Sequence, residues 1–131
     1  MIAYLFAWYI QTSTNVKNIM KTASLSNSIV FKEDKPNVQL LLETPFSKEI
    51  RITLKAGQIM KEHTAPGAIV VEIFEGAVDF GVEGVIHHVT KGDLLTLDAK
   101  VPHDLKATKD SVVRLTLSKQ DDVKRVFSVI R

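Results

Sequence analysis

The sequence predicts an all-β fold, a small jelly-roll barrel. In the segment KEIRITLKAG (48–57), apolar side chains alternate with polar ones, which is the period of two expected of a half-buried strand. Turn signals recur about every 8–12 residues, as they do in sandwiches and barrels. No helical crossover pattern separates the segments, which argues against a parallel α/β fold. The length of 131 residues indicates one domain with a core large enough to fold by itself.

Short segments with the composition of strands follow one another along most of the chain. They are rich in β-branched and other apolar residues and are bounded by turn residues. Among the latter, Gly76, Gly84 and Gly92 supply turn conformations that other residues resist. The predicted strands are VQLLLET (38–44), KEIRITLKAG (48–57), IVVEIFEG (69–76), AVDFGV (77–82), VIHHV (85–89), LLTLD (94–98), HDLKA (103–107) and SVVRLTL (111–117).

Minor helices are predicted near the two ends of the chain. KTASLSNSI (21–29) is compatible with a short N-terminal helix. QDDVKRVFSVI (120–130) places apolar residues at helical spacing after two aspartates that suit a first turn, although it is also compatible with a further strand. The apolar residues are Val123, Val126, Phe127 and Ile130, and the aspartates are Asp121 and Asp122.

The N-terminal run IAYLFAWYI (2–10) is far shorter than the roughly 20 residues of a membrane helix, and it lacks the basic region of a secretory signal. Two interpretations stay open. In the first, Met20 is the natural start and residues 1–19 are an upstream extension. In the second, the run is a strand or short helix that buries its apolar side on a partner chain. We assign residues 1–37 as an N-terminal extension and 38–131 as a single barrel domain.

Composition narrows the classes of function. The net charge of +2 is too small to favour nucleic acid or a membrane surface, and we expect neither as a partner. Cysteine is absent, which excludes disulfides and thiolate chemistry and suits a reducing cytoplasm, where we expect the protein. Any metal would need nitrogen or oxygen ligands. No nucleophile elbow, phosphate loop or HExxH motif is present, so no catalytic residue is assigned.

Two stretches of the sequence carry a family resemblance. GQIMKEHTAPGAIVVEIFEG (57–76) begins and ends with glycine and contains His63. KGDLLTLDAKVPHDLKA (91–107) contains His103 after the dipeptide Val-Pro. In this order the stretches resemble the first and second motifs of the cupin superfamily, over roughly residues 45–118. The resemblance implies a small cupin barrel, also called a double-stranded β-helix.

The resemblance also implies a metal site, which is degenerate in this chain. Many cupins hold a metal through two histidines and a glutamate of the first motif and a histidine of the second. His63 and His103 match the first and the last of these ligands. Ala65 stands at the second histidine position, and Ile69, or Val70 with looser spacing, stands at the glutamate position.

A third imidazole would help to complete a metal site. His87 is the candidate, because alternation along VIHHV (85–89) places it on the inward face while His88 points outward. Such a site would hold Fe, Mn, Ni or Zn. If no metal binds, His63 and His103 are a buried pair that hydrogen-bonds to the backbone, to each other or to water.

The function that we expect is that of a small-molecule-binding cupin of unassigned role, with His63 and His103 as the polar groups of an apolar barrel pocket. The alternative is a metal-dependent enzyme of the oxygenase or isomerase type, in which the same histidines are metal ligands. We also expect a homodimer that pairs through sheet edges. The other residues expected to line the pocket are Ile59, Ala65, Ile69, Val71, Ile73, Leu97 and Leu105.

Overall fold

The structure is a computed structural model that describes residues 19–119 together with Val126 and Val129. Within these residues, nine strands form two antiparallel sheets, which confirms the predicted all-β jelly-roll class. The strands are β1 (Asn37–Glu43), β2 (Ser47–Leu54), β3 (Ile59–His63), β4 (Ile69–Glu75), β5 (Ala77–Val82), β6 (Val85–Thr90), β7 (Leu94–Leu97), β8 (His103–Ala107) and β9 (Ser111–Ser118).

The strand order brings distant parts of the chain together. The five-stranded sheet, called sheet A, has the order β1-β2-β9-β4-β7, and the four-stranded sheet B has the order β3-β8-β5-β6. The inner faces of both sheets contribute to one hydrophobic core. Because β8 lies between β3 and β5, the end of β3 is placed beside the start of β8.

Alternation along the strands fills this core. In β2, Ile50, Ile52 and Leu54 face inward and are buried, as the pattern of residues 48–57 predicts. Burying a large apolar side chain contributes about 1.5–3 kcal/mol to stability. The other strand residues of the core are Val38, Met60, Ile69, Val71, Ile73, Val78, Phe80, Leu105, Ala107, Val113, Leu115 and Leu117.

All the strands predicted from sequence are present, and β3 is an additional strand that the patterning did not predict. In β3 only Met60 is buried, His63 is half-buried, and the other three residues are exposed. A strand with so little apolar alternation has no clear signal of period two.

The predicted helix over residues 21–29 is wrong. The Ser24 Oγ accepts hydrogen bonds from the backbone N–H groups of Ser26 and Asn27, and such local bonds compete with helix formation. Ser28 has a φ of 56°, in the left-handed region that a right-handed helix does not contain. This segment instead crosses the outer face of sheet A.

Arg51 holds that segment in place. Its side chain lies on the outer face of β2 and is only 3 % exposed, so its donors need partners within the protein. Residues 24–28, although they fall within the predicted N-terminal extension, are therefore hydrogen-bonded to the barrel. The acceptors are the carbonyl oxygens of Ser24, Leu25, Asn27 and Ser28 and the Oε1 atom of Gln39.

A second arginine adds to the polar character of this outer face. Arg114 donates from Nε to Glu72 at 2.8 Å and from Nη1 to Glu49 at 2.9 Å. The hydrogen bond with Glu72 is the main reason that the pKa of Arg114 is raised above its ordinary value. Sheet A therefore has a polar, hydrogen-bonded outer face and an apolar inner face.

Gly76 is required by the turn between β4 and β5. Its φ is 92°, and a Cβ atom there would lie 2.3 Å from Ser111 Oγ and 2.5 Å from the Asp110 carbonyl oxygen. Gly84 and Gly92 also have positive φ, which confirms the predicted turn role of the three glycines.

Several expectations fall on parts of the chain that the structure does not describe. The N-terminal run 2–10 lies outside the described residues, and so do Asp121, Asp122, Val123, Phe127 and Ile130 of the predicted C-terminal helix. Val126 is helical, and Val126 and Val129 are both buried. Among the described residues, no helix is both long enough and apolar enough to cross a membrane.

Candidate ligand pocket

His63 and His103 lie side by side inside the barrel. His63 ends β3 and His103 begins β8, and the antiparallel register pairs them directly. Their ring centroids are 4.3 Å apart at an interplanar angle of 61°. His103 is 4 % exposed and His63 is half-buried. The fold therefore makes one polar cluster from two residues that are distant in sequence.

A β-bulge in β3 gives His63 its inward orientation. The register shifts by one residue between Met60 and His63, so both side chains lie on the inner face although three positions separate them. Strict alternation back from His63 would also place Ile59 inside. The assignment of Ile59 to the pocket wall is wrong for this reason, since Ile59 is 47 % exposed and Met60 is the buried residue.

Backbone carbonyls fix the tautomer of both neutral rings. The Nδ1 atom of His63 lies 2.7 Å from the Lys61 carbonyl oxygen, and the Nδ1 atom of His103 lies 2.9 Å from the Val101 carbonyl oxygen. Because a carbonyl oxygen only accepts, each Nδ1 carries the proton. In the neutral imidazoles the lone pair is then on Nε2, which is the atom that can accept a hydrogen bond or bind a metal.

Apolar side chains surround the two histidines. The Phe80 ring stacks on that of His103, with centroids 5.5 Å apart and planes 8° from parallel. The pocket has a volume of about 20 Å³, which is room for about one water molecule. Its lining residues are Ile52, Met60, His63, Ile69, Val71, Phe80, His103, Leu105, Val113, Leu115, Leu117 and Val126.

The structure separates the residues predicted for the pocket into two groups. Those that line it are His63, His103, Ile69, Val71 and Leu105. Ala65 and Ile73 are instead buried elsewhere in the core, and Leu97 packs against the core from the edge strand β7. The role of the lining residues in ligand binding stays a prediction.

Sequence reasoning missed more than half of the lining residues. The missed lining residues on β2 and β9 could have been predicted from the sequence. For example, alternation in SVVRLTL (111–117) places Val113, Leu115 and Leu117 on one face of a strand. Val126 has no such signal. Helical spacing shows which residues share a face but not which surface that face meets.

His87 and His88 lie apart from this pocket, on the edge strand β6. His87 pairs with Phe80 and so lies on the inward side of sheet B, as predicted, but its side chain is exposed. His88 pairs with Asp79, and its Nδ1 atom lies 2.5 Å from the Asp79 carboxylate. His88 thus faces outward, as the alternation indicates.

The described residues supply too few ligands for a firm metal site. Nowhere in this part of the chain do three or more His, Asp or Glu side chains come close enough to share one ion, so His87 does not join His63 and His103. Ala65 and Ile69, at the two remaining motif positions, have no side-chain atom that can bind a metal. Catalytic zinc and non-haem iron sites use at least three protein ligands. Two imidazoles do not fit that requirement.

The C-terminal part of the chain reaches the same pocket. Val126 lines it, and the Val129 carbonyl oxygen accepts a hydrogen bond of 3.1 Å from the Lys61 N–H. Lys61 lies in the bulge of β3, and its own carbonyl accepts from His63. The pocket is therefore bounded by both sheets and by Val126, and Val129 is hydrogen-bonded to the strand that carries His63.

Comparison with known proteins identifies the family. The family model described as the cupin domain matches residues 50–118, which is more than half of the chain. The protein therefore belongs to the cupin family, as its two motifs indicate. No curated protein matches the chain significantly.

Solved structures with the same fold include proteins with different descriptions. An RmlC-like cupin protein from Desulfovibrio desulfuricans is 25 % identical, with a TM-score of 0.70 over 76 % of this chain and 96 % of that one. KdgF from Halomonas sp. is 19 % identical, with a TM-score of 0.63 over 68 % of this chain and 83 % of that one. The salicylate 1,2-dioxygenase from Pseudoaminobacter salicylatoxidans, solved with gentisate, is 20 % identical, with a TM-score of 0.61 over 73 % of this chain and 28 % of that one. The last two support the fold alone.

Proposed function

We propose that this cupin binds a small, mainly apolar molecule that carries one polar group, and that His63 and His103 hydrogen-bond to that group. One observation carries the proposal. These histidines are the only polar side chains among the described lining residues, and the remaining walls are aliphatic or aromatic. A few placed polar groups in an apolar cavity are the usual composition of a small-molecule site.

The histidines define the polar group of the ligand. With Nδ1 bonded to a carbonyl, the neutral imidazole presents Nε2 as an acceptor for a hydroxyl group. When protonated, the same Nε2 becomes a donor to a carboxylate. Phe80, stacked on His103, adds an apolar wall, and since the pocket has room for about one water molecule, a larger ligand binds only if the lining side chains move apart. A phenol-like or short carboxylic compound combines these features.

Calorimetric titration with phenol tests this proposal. We expect saturable one-to-one binding to the full chain and a loss of at least about tenfold in affinity in the double variant His63→Ala, His103→Ala, because two ligand hydrogen bonds disappear. His88→Ala is the matched control, since it removes an exposed imidazole. Unchanged affinity in the double variant would show that the pocket is not the binding site.

A metal-dependent enzyme of the oxygenase or isomerase type is the second candidate. Its support is that both histidines donate from Nδ1 to a carbonyl, which is the arrangement that metal-binding histidines use to direct Nε2 at the ion. The number of metal ligands argues against it, because the described residues supply two imidazoles and such sites use at least three protein ligands. Metal analysis after separate incubation with Fe²⁺, Mn²⁺, Ni²⁺ and Zn²⁺ decides between the candidates. Stoichiometric metal that is lost in the double variant would support the metal-dependent enzyme, and only trace metal would exclude it.

We also propose that the chain forms a homodimer. Leu40 on the edge strand β1 and Phe46 in the turn that follows are exposed large apolar residues. Phe46 also borders a mainly apolar groove of about 500 Å³ on sheet A. Light scattering should give the mass of a dimer at micromolar concentration, and Phe46→Ser should shift it toward the monomer, with Leu94→Ser on β7 as control. A monomer mass for the unchanged chain would refute the dimer.

A further inference from the structure

The described wall of the pocket is buried except at His63. Of the described lining residues, His63 alone is half-buried, and each of the others is at most 8 % exposed. The residues on both sides of it in the chain, Glu62 and Thr64, are exposed. Solvent therefore reaches the wall of the pocket at the His63 ring, where β3 ends.

The two imidazoles of the pocket are held to different degrees. His103 lies on β8, which has a strand on each side, and the Phe80 ring stacks on it. His63 lies on β3, at the edge of sheet B and directly after the bulge. Its ring donates from Nδ1 to the Lys61 carbonyl of the same strand and contacts the His103 ring. The His103 ring is therefore confined on more sides than the His63 ring.

A ligand needs more room than the pocket offers. The volume of about 20 Å³ admits about one water molecule, so at least one lining side chain has to move. Protein interiors are close-packed, so a buried wall residue cannot move without displacing its neighbours. A side chain that borders solvent can change its rotamer without doing so. His63 is the described lining residue that meets this condition.

We propose that His63 is the movable wall of the site and that His103 is its fixed anchor. A ligand enters at the end of β3 when the His63 ring turns toward solvent, and the polar group of the ligand then lies between the two imidazoles. This inference rests on the proposed binding function and adds the route by which the ligand arrives. The side chain at position 63 therefore controls access to His103.

Chemical modification measures this access without any ligand. Diethyl pyrocarbonate reacts with the unprotonated nitrogen of an accessible imidazole, and peptide mass spectrometry gives a separate rate for each histidine. In the 131-residue chain, we expect His63→Ala to raise the rate at His103 about tenfold relative to His88 in the same molecule, because the movable wall is gone. His63→Trp should lower the rate at His103, because a larger ring closes the wall more completely.

Val71→Ala is the matched control for this experiment. Val71 is buried and lines the same pocket from β4, so its truncation enlarges the pocket but leaves the wall closed. Equal rates at His103 in His63→Ala and in the unchanged protein would overturn the inference. An equal rise in His63→Ala and Val71→Ala would also overturn it, since the cause would then be general loosening of the core. His63→Trp keeps the inference testable if the alanine variant does not fold.

Phenol separates this inference from the binding proposal. Both are supported if His63→Ala exposes His103 and if saturating phenol protects His103 of the unchanged protein from modification. If calorimetry shows that phenol binds but His63→Ala leaves the His103 rate unchanged, the route past His63 fails and the binding function stands. If phenol neither binds nor protects, the binding function fails and the inference fails with it.

Discussion

The four histidines of this chain form two pairs with opposite surroundings, although all of them lie on sheet B. His63 and His103 are paired across β3 and β8, beneath apolar residues of sheet A and beside Val126. His87 and His88 are neighbours on the edge strand β6 and are exposed. Residue type does not distinguish the pairs, so their difference comes from position in the fold.

The comparison shows that facing inward does not make a residue part of the pocket. His87 pairs with Phe80 and lies on the same side of the sheet, yet Phe80 is buried and His87 is not. On an edge strand the inner side has neighbours on one flank only, and solvent reaches it. His103 is covered because β8 lies inside its sheet and Val126 lines the same pocket, whereas His63, on the opposite edge strand β3, is only half-buried.

The largest difference in the free energy of unfolding is expected between alanine variants of Phe80 and of its cross-strand partner His87. Phe80→Ala removes a fully buried ring that stacks on His103, and it should lower the free energy of unfolding by about 3–5 kcal/mol. His87→Ala should change it by less than about 0.5 kcal/mol. Urea unfolding of both variants measures the contrast, and equal losses would mean that β6 is covered in solution.

Because of the bulge in β3, the adjacent residues Met60 and Ile59 should also differ in how much their alanine variants lower the free energy of unfolding. Met60→Ala should cost about 2–5 kcal/mol of unfolding free energy, because the bulge places Met60 in the core. Ile59→Ala should cost about 0.5 kcal/mol, because Ile59 is on the outer face. Thermal and urea unfolding provide the measurement. The reverse order of the two losses would show that β3 runs without the bulge.

A smaller difference in the free energy of unfolding is expected between alanine variants of the buried His103 and the exposed His88. His103→Ala leaves the Val101 carbonyl without its ring N–H donor and should cost about 1–3 kcal/mol. His88→Ala breaks only an exposed pair with Asp79 and should cost less than about 1 kcal/mol. If denaturant midpoints fall equally in both variants, the inner histidine is not part of the packed core.

Much of the fold was predictable because apolar and polar residues alternate clearly in most of the strands. Residues 48–57 and 111–117 place apolar side chains on one face, and the structure puts those faces in the core. The strand β3 was not predictable in this way, since its bulge breaks the alternation and two of its residues are charged. The segment 21–29 was wrongly predicted because Ser24 and the distant Arg51 bind its backbone, and a local pattern does not report a distant partner.

The candidate site was predictable only in part, for related reasons. The two motifs identified His63 and His103, and the structure places them in contact. Among the residues expected to line the pocket, Ile69 and Val71 do so, whereas Ile59 does not because the bulge in β3 leaves it exposed. Val126 depends on how the C-terminal part of the chain meets the barrel, and spacing within a segment carries no information about that contact.

The most direct test of the central claim is a titration of the uniformly ¹⁵N-labelled 131-residue chain with phenol, followed by long-range ¹H–¹⁵N NMR of the imidazole nitrogens. The account predicts that the Nε2 signals of His63 and His103 shift together and saturate at one concentration, while those of His87 and His88 stay unchanged. Shifts of equal size in both pairs, or no saturable shift in the inner pair, would contradict it.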